Sequence, residues 1–153
     1  MQYIESAMKE PGGACVFCAL FADPTGEDRL LASTDLAFVT LAKYPYNPGH
    51  LLVLPVRHVA DLADLTDDEN VEITRLMKRG LAALRAESDP HGFNVGLNLG
   101  RVAGAGIPEH LHWHVVPRWG GDTNFMPVIA ETRVLPELLK ETYERLKPRF
   151  DGR

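Results

Sequence analysis

The stretch that most constrains this chain is His110-Leu111-His112-Trp113-His114-Val115-Val116-Pro117, where three of the six histidines fall within five residues and alternate with apolar side chains. Alternation with period two predicts a strand, because successive side chains point to opposite faces. One face then carries Leu111, Trp113 and Val115 into a core, and the other carries three imidazoles about 7 Å apart at about 3.3–3.4 Å of rise per residue. A lone histidine on a strand is usually a satisfied polar residue, whereas three at i, i+2 and i+4 are hard to explain by packing. Two chemistries remain. The imidazoles are metal ligands, or they are nucleophile and acid–base groups working near neutral pH.

The rest of the chain reads as one domain. Residues 1–14 have weak periodicity and a Pro11-Gly12-Gly13 break, which predicts an N-terminal arm, and 15–153 read as a single domain with no repeat or linker. Leu36 to Leu41 and His50 to Leu54, closed by Pro55, predict a hairpin around the Tyr44–Gly49 turn. Thr66-Asp67-Asp68-Glu69 is a helix start in which Thr66 caps and Glu69 completes a capping box. An apolar stripe through Val71, Ile73, Leu76, Met77, Leu81, Ala83 and Leu84 carries that helix to about Glu87. Phe93 to Leu99 alternates as a further strand, and Pro136 at a helix N1 position opens a last helix to about Lys147. His91, in the intervening turn, reads as a surface residue without a role.

The two cysteines form Cys15-Val16-Phe17-Cys18. Such a pair is half a zinc site or a redox pair rather than a structural disulfide, and two unliganded thiols near the surface is a third reading. The βαβ context of a thioredoxin-type redox motif is missing. A closed structural zinc site needs two further ligands. Arg101-Val102-Ala103-Gly104-Ala105-Gly106 is a glycine-rich loop just before the histidines. It suits close approach of backbone amides to phosphate oxygens, or is a plain connecting turn.

The His-apolar-His-apolar-His-apolar-apolar pattern resembles the signature of the histidine triad family of nucleotidyl hydrolases and transferases. Asn47-Pro48-Gly49-His50, the strand after it and His58 fit that family, as do the cysteine pair and Asn98-Leu99-Gly100. Pro117-Arg118-Trp119 and Gly121-Asp122-Thr123-Asn124-Phe125-Met126 are similar to its diadenosine-tetraphosphate phosphorylase-like branch. The resemblance covers roughly residues 15 to 130. It implies an α+β fold, a mainly antiparallel sheet of about five strands with one long helix packed on it and a C-terminal helix. It implies His112 as nucleophile and His114 as the second catalytic group, which also binds phosphate oxygens. Asn98, Gly104, Gly106 and His50 become substrate-binding. Cys15, Cys18, His58 and His110 become ligands of a structural zinc ion, with no organic cofactor. Two positions depart from the family pattern: Ala42 stands where a ribose-binding Asn or Asp is common, and Gly106 where many relatives carry Gln.

Composition limits partners. Sixteen Lys and Arg against twenty-one Asp and Glu give a net charge of −5, which argues against a general nucleic-acid binder. No apolar run approaches the length of a membrane span, and the N-terminal residues lack the apolar core of a secretory signal, so the expected setting is cytoplasmic. The expected partners are a small-molecule nucleotide substrate and a second copy of the chain, as a homodimer or higher homo-oligomer. The expected activity is cleavage of diadenosine polyphosphates at the α-phosphate through a nucleotidyl-histidine intermediate, by phosphorolysis (Ap4A plus phosphate to ADP plus ATP). The alternatives are a nucleoside phosphoramidate hydrolase of the same family, a zinc-stabilised nucleotide-binding module with little turnover, and a metalloenzyme with all three histidines on one catalytic ion.

Overall fold

The computed structural model describes residues 14–23, 29–122 and 137–151. In chain order these form helix α1 (Val16–Ala22), strands β1 (Leu30–Ser33), β2 (Ala37–Leu41) and β3 (Leu51–Pro55), helix α2 (Asp67–Ser88), strands β4 (Gly92–Leu97) and β5 (Trp113–Arg118), and helix α3 (Leu139–Asp151). The strands make one antiparallel sheet in the order β1-β2-β3-β5-β4. This is the α+β architecture that the resemblance implies.

The expected hairpin forms, with β2 and β3 in register from Ala37 opposite Pro55 to Leu41 opposite Leu51. Its strands are buried along their whole length because both faces of the sheet are covered. Ala37, Val39, Leu41, Leu51 and Val53 face one way, into a core closed by α2 and α3. Phe38, Leu52 and Leu54 face the other way, into a smaller cluster with Phe17 of α1 and Ala42. That double burial is why Leu51-Leu52-Val53-Leu54 reads as an unbroken apolar run.

Helix α2 starts as expected. The Thr66 hydroxyl accepts from the Glu69 amide at 3.2 Å and the Glu69 carboxylate accepts from the Thr66 amide at 2.8 Å. Gly80 lets the helix come close to the sheet, since a Cβ there would lie 2.9 Å from Leu51 Cδ1. Val71 is a correction to the expected stripe: it is 68 % exposed while Ile73, Leu76, Ala83 and Leu84 are buried. Val71 therefore lies outside the buried face of the helix.

Two elements, α1 and β1, have no counterpart in the sequence reading, although Phe17, Leu20 and Phe21 carry helical spacing. Strand β4 stops at Leu97, before Asn98. Helix α3 runs past Lys147, through Pro148, because Leu146 and the next residue on the same face, Phe150, are both buried. Pro136, nearly all of the N-terminal arm and residues 123–126 lie outside the described residues. Among the described residues no helix is long and apolar enough to cross a membrane.

Candidate active site and metal centre

The three histidines of the alternating run do not form one ladder. Strand β5 begins only at Trp113, opposite Val53, so 110–112 have no partner strand. The Leu111 amide bonds instead to the Val59 carbonyl at 2.7 Å. Leu111 and Val115 are buried and Trp113 packs against the same core, as the alternation requires. His110 turns away toward the cysteines, leaving His112 and His114 together with ring centroids 5.1 Å apart.

Backbone groups fix which ring nitrogen carries the proton on each buried histidine. His112 Nδ1 lies 2.8 Å from the His110 carbonyl, which can only accept, so Nδ1 carries the hydrogen and Nε2 presents its lone pair. The Tyr46 amide can only donate, and it donates to His50 Nδ1 at 3.1 Å. His50 Nε2 therefore carries the hydrogen and donates to His114 Nδ1 at 2.9 Å. That leaves the hydrogen of His114 on Nε2, which is buried and has no hydrogen-bond partner among the described residues. A buried donor without an acceptor is costly unless a ligand supplies one.

Burial keeps these rings neutral. Desolvation, then the neighbouring His114 and His112, pushes His50 down to about 3. Desolvation, then His112, pushes His114 down to about 4. His112 is also held below the usual histidine value by burial, against which its bond to the His110 carbonyl works. The arrangement offers a neutral imidazole lone pair beside an unsatisfied N–H, a combination suited to attack at phosphorus with a donor on the phosphoryl oxygens.

His110 closes a second site. Its Nε2 hydrogen is donated to the Pro55 carbonyl at 3.0 Å, so its bare Nδ1 faces Cys15 Sγ at 3.4 Å and Cys18 Sγ at 3.5 Å. His58 Nδ1 lies 3.4 Å from Cys18 Sγ, and the four ligand atoms are all within 4.8 Å of one another. A tetrahedral zinc ion with Zn–S of about 2.3 Å and Zn–N of about 2.0–2.1 Å has S···N edges of about 3.5 Å. The donor set fits such an ion, and the bond to Pro55 is the outer-shell contact that orients a ligating imidazole. Burial, then the hydrogen bond and charge of Cys15, pushes Cys18 up to about 11. A cation held between the two sulfurs would oppose that shift and favour the thiolate.

A cleft of about 510 Å³ lies beside His114. Asn98 lines it, and Gly104, with φ at +97°, lies against the Asn98 amide, 3.7 Å from where a Cβ would be. The Gly104 amide donates to the Arg101 carbonyl, closing a turn, and Gly106 is exposed further along the loop. Ala42 is buried in the apolar cluster of Phe17, Phe38, Leu52 and Leu54. Trp119 is pinned to the C-terminal end of α2, its indole N–H donating to the Ser88 carbonyl at 3.2 Å. His91 corrects the expectation of a residue without a role. Its Nδ1 accepts from the Gly120 amide at 2.8 Å and ties that turn to the end of β5.

The sequence reading missed Tyr46, whose ring stacks on His50 at 4.9 Å and on His114 at 5.9 Å. It also missed the roles of Asn47, Asn94 and Asp122. Asp122 accepts from Arg118 Nε at 2.5 Å and from Asn47 Nδ2 at 2.9 Å, which joins the turn before β3 to the end of β5. The Tyr-Pro-Tyr-Asn-Pro-Gly turn was the available signal, since its amides and side chains sit directly before His50.

Fold and site together define a class: a small α+β protein whose antiparallel sheet presents paired, tautomer-fixed histidines, one of them lining a cleft, beside a donor set of two cysteines and two histidines. Comparison with known proteins agrees. The HIT domain family model matches residues 24–121. The chain is 50% identical over 116 residues to a protein of Mycobacterium tuberculosis named AP-4-A phosphorylase, covering 76% of this chain and 60% of that one. An adenosine 5'-monophosphoramidase of Schizosaccharomyces pombe is 31% identical over 105 residues, which cover 69% of this chain and 74% of that protein. The crystal structure of a zinc-bound histidine triad family protein from Mycobacterium smegmatis superposes with a TM-score of 0.73 at 28% identity, over 90% of this chain and 94% of that chain. The chain belongs to the histidine triad (HIT) family. It spans only about 60% of the length of its mycobacterial AP-4-A phosphorylase relatives.

Proposed function

We propose that the protein is a nucleotidyl transferase acting on diadenosine polyphosphates, with inorganic phosphate as acceptor. The observation that carries the reading is the pair of tautomers: a lone pair on His112 Nε2, and on the neighbouring His114 a buried N–H that has no partner among the described residues. In the first step His112 Nε2 attacks the α-phosphorus. The N–P bond forms as the bond to the bridging oxygen breaks, and that oxygen leaves with the electron pair as the terminal phosphate of ATP. The His114 N–H donates to the non-bridging oxygens of the adenylyl group, with His50 holding its tautomer. In the second step a phosphate oxygen attacks the same phosphorus, the N–P bond breaks and ADP is released with the proton of the attacking phosphate passing to solvent. Dividing one displacement into two by a covalent intermediate is what a fixed imidazole nucleophile provides. The name of the mycobacterial relative at 50% identity supports the substrate class.

Cys15, Cys18, His58 and His110 would hold zinc as a structural cross-link between the N-terminus of α1, the end of β3 and the triad segment. Asn98, Gly104 and Gly106 are assigned to the substrate side of the site. Strand β4 forms a sheet edge on which Val95 is 47 % exposed, and this edge supports assembly as a homodimer.

The test is product analysis with Ap4A, with and without phosphate, alongside His112→Ala. Phosphate-dependent ADP plus ATP, lost in the variant, together with an adenylyl group trapped on His112, is the expected result. AMP plus ATP regardless of phosphate replaces phosphorolysis by hydrolysis. Absence of both turnover and adenylylation overturns the reading. A second reading, cleavage of adenosine phosphoramidate by the same two steps, is favoured by the fission-yeast relative. It is distinguished by turnover of the phosphoramidate without turnover of Ap4A.

A further inference from the structure

Strand pairing sets His114 opposite Gly96 and places Asn94 opposite Val116. Gly96 has no side chain, and a Cβ there would meet nothing within 4 Å, so the sheet surface beside His114 is open. This opening is the floor of the cleft of about 510 Å³. Arg118 lies four residues beyond His114 on the same strand face, about 13 Å away along β5. Among the described residues that line the cleft, it is the only charged side chain. Its guanidinium is oriented by Asp122 at 2.5 and 2.7 Å and by the Asn94 side-chain oxygen at 2.7 Å. At the other side stands Tyr46, 59 % exposed, its ring held nearly parallel to His50 and His114 at interplanar angles of 20° and 25°.

His114 lines this cleft and His112 does not; the His112 ring packs against Phe17, with centroids 5.2 Å apart, and against His114, with centroids 5.1 Å apart. In an in-line displacement the leaving oxygen departs on the side opposite the nucleophile. His112 lies outside the cleft and His114 on its wall, so a leaving group that departs away from His112 and past His114 enters the cleft.

We propose that this cleft is the subsite for the leaving nucleotide of a two-nucleoside substrate, with Tyr46 as the stacking platform for its base and Arg118 as the cation for its distal phosphates. The assignment rests on the nucleotidyl-transfer reading above and names what that reaction releases: a nucleoside polyphosphate carrying a second base. An exposed aromatic ring stacks any nucleobase with little selectivity. An always-charged guanidinium held by Asn94 and Asp122 meets phosphate oxygens at low ordering cost. The polar lining of Asn94 and Asn98 suits a group that must leave again.

The experiment keeps the adenylyl half constant and varies the leaving group: Ap4A, adenosine tetraphosphate without a second base, and an adenylate with a small neutral leaving group. The readout is the ratio of kcat/KM between substrates. Tyr46→Ala is expected to lower the ratio of Ap4A to adenosine tetraphosphate about ten-fold, the scale of one base stacked on an aromatic ring, and Tyr46→Phe to preserve it. Arg118→Gln is expected to lower the ratio of adenosine tetraphosphate to the small-leaving-group adenylate by about ten-fold, with the Ap4A ratio following. Ratios that stay at wild-type values, or rates that fall equally on all three substrates, overturn the subsite. The small-leaving-group adenylate separates the two failures. Adenylylation of His112 by it with unaltered ratios overturns the subsite alone, and its absence overturns the transfer reading and the subsite together.

Discussion

Glu69→Gln gives a test of how the helix start, the loop carrying His58 and solution pH are connected. Glu69 is 4 % exposed and accepts from Arg57 Nε at 3.0 Å, Arg57 Nη2 at 2.8 Å, the Thr66 amide at 2.8 Å and the Thr66 hydroxyl at 3.1 Å. The Arg57 hydrogen bonds foremost, then the Thr66 bonds, hold its carboxyl down from 4.5 to about 2 against the cost of burial. A shift of roughly 2.5 units at about 1.36 kcal/mol each sets a ceiling near 3.4 kcal/mol. The Arg57 side chain is 49% exposed, so solvent screens its half of the pair and the working figure is about 2 kcal/mol. The folded pKa is depressed, so this stability is fully present above the unfolded value of 4.5 and is lost as pH falls through about 2. Gln retains an acceptor for the Thr66 amide and loses the charge. Urea unfolding of both proteins should therefore differ by about 2 kcal/mol at pH 7 and converge as pH approaches about 2–3. A difference below about 0.5 kcal/mol at pH 7, or one that does not change with pH, refutes the reasoning.

Gly49→Ala should destabilise by about 1–3 kcal/mol, because φ at this residue is +77° and a Cβ would lie 2.8 Å from the buried Leu84 Cδ2; thermal unfolding of an unchanged protein would contradict this. His112 titrates below its usual value of 6.5, so the neutral nucleophile is lost only as pH falls further, and the acid limb of kcat/KM should have its midpoint below 6.5. A midpoint at or above 6.5 would count against His112 as the attacking group. Buried, neutral His50 and His114 also favour the folded state less as pH drops below 6.5, because the unfolded chain takes up their protons first. Wild-type stability should then fall on acidification from pH 6.5 toward 4, in contrast to a His50→Asn variant, which should show a shallower fall. Zinc bound by the purified protein should be about one per chain, and a chelator should lower Tm; Cys18→Ser should lose most of the metal, measured by metal analysis, and retention of the full amount would remove Cys18 from the ligand set.

Local physics was readable without coordinates. The capping box at Thr66 and Glu69 is written within four residues, and the β2–β3 hairpin follows from an apolar run, a Pro-Gly turn and a second run. Helix α1 escaped because seven residues give barely two turns of periodicity, and its burial against Phe38 and Leu52 is a long-range fact. The His-x-His-x-His spacing carried the chemistry but misstated the geometry. Alternation alone places all three rings on one face, and the sheet denies His110 and His112 a partner strand.

By itself the sequence determined the residue types: three closely spaced histidines, a cysteine pair with two further imidazoles available, and a turn that delivers His50. Only the tertiary structure decided what each nitrogen does. The proton on His112 is placed by the His110 carbonyl, the proton on His50 by the Tyr46 amide, and through His50 the one on His114. A carbonyl accepts and an amide donates whatever side chain they belong to, so these assignments depend on where the backbone runs in space and not on which residues it carries.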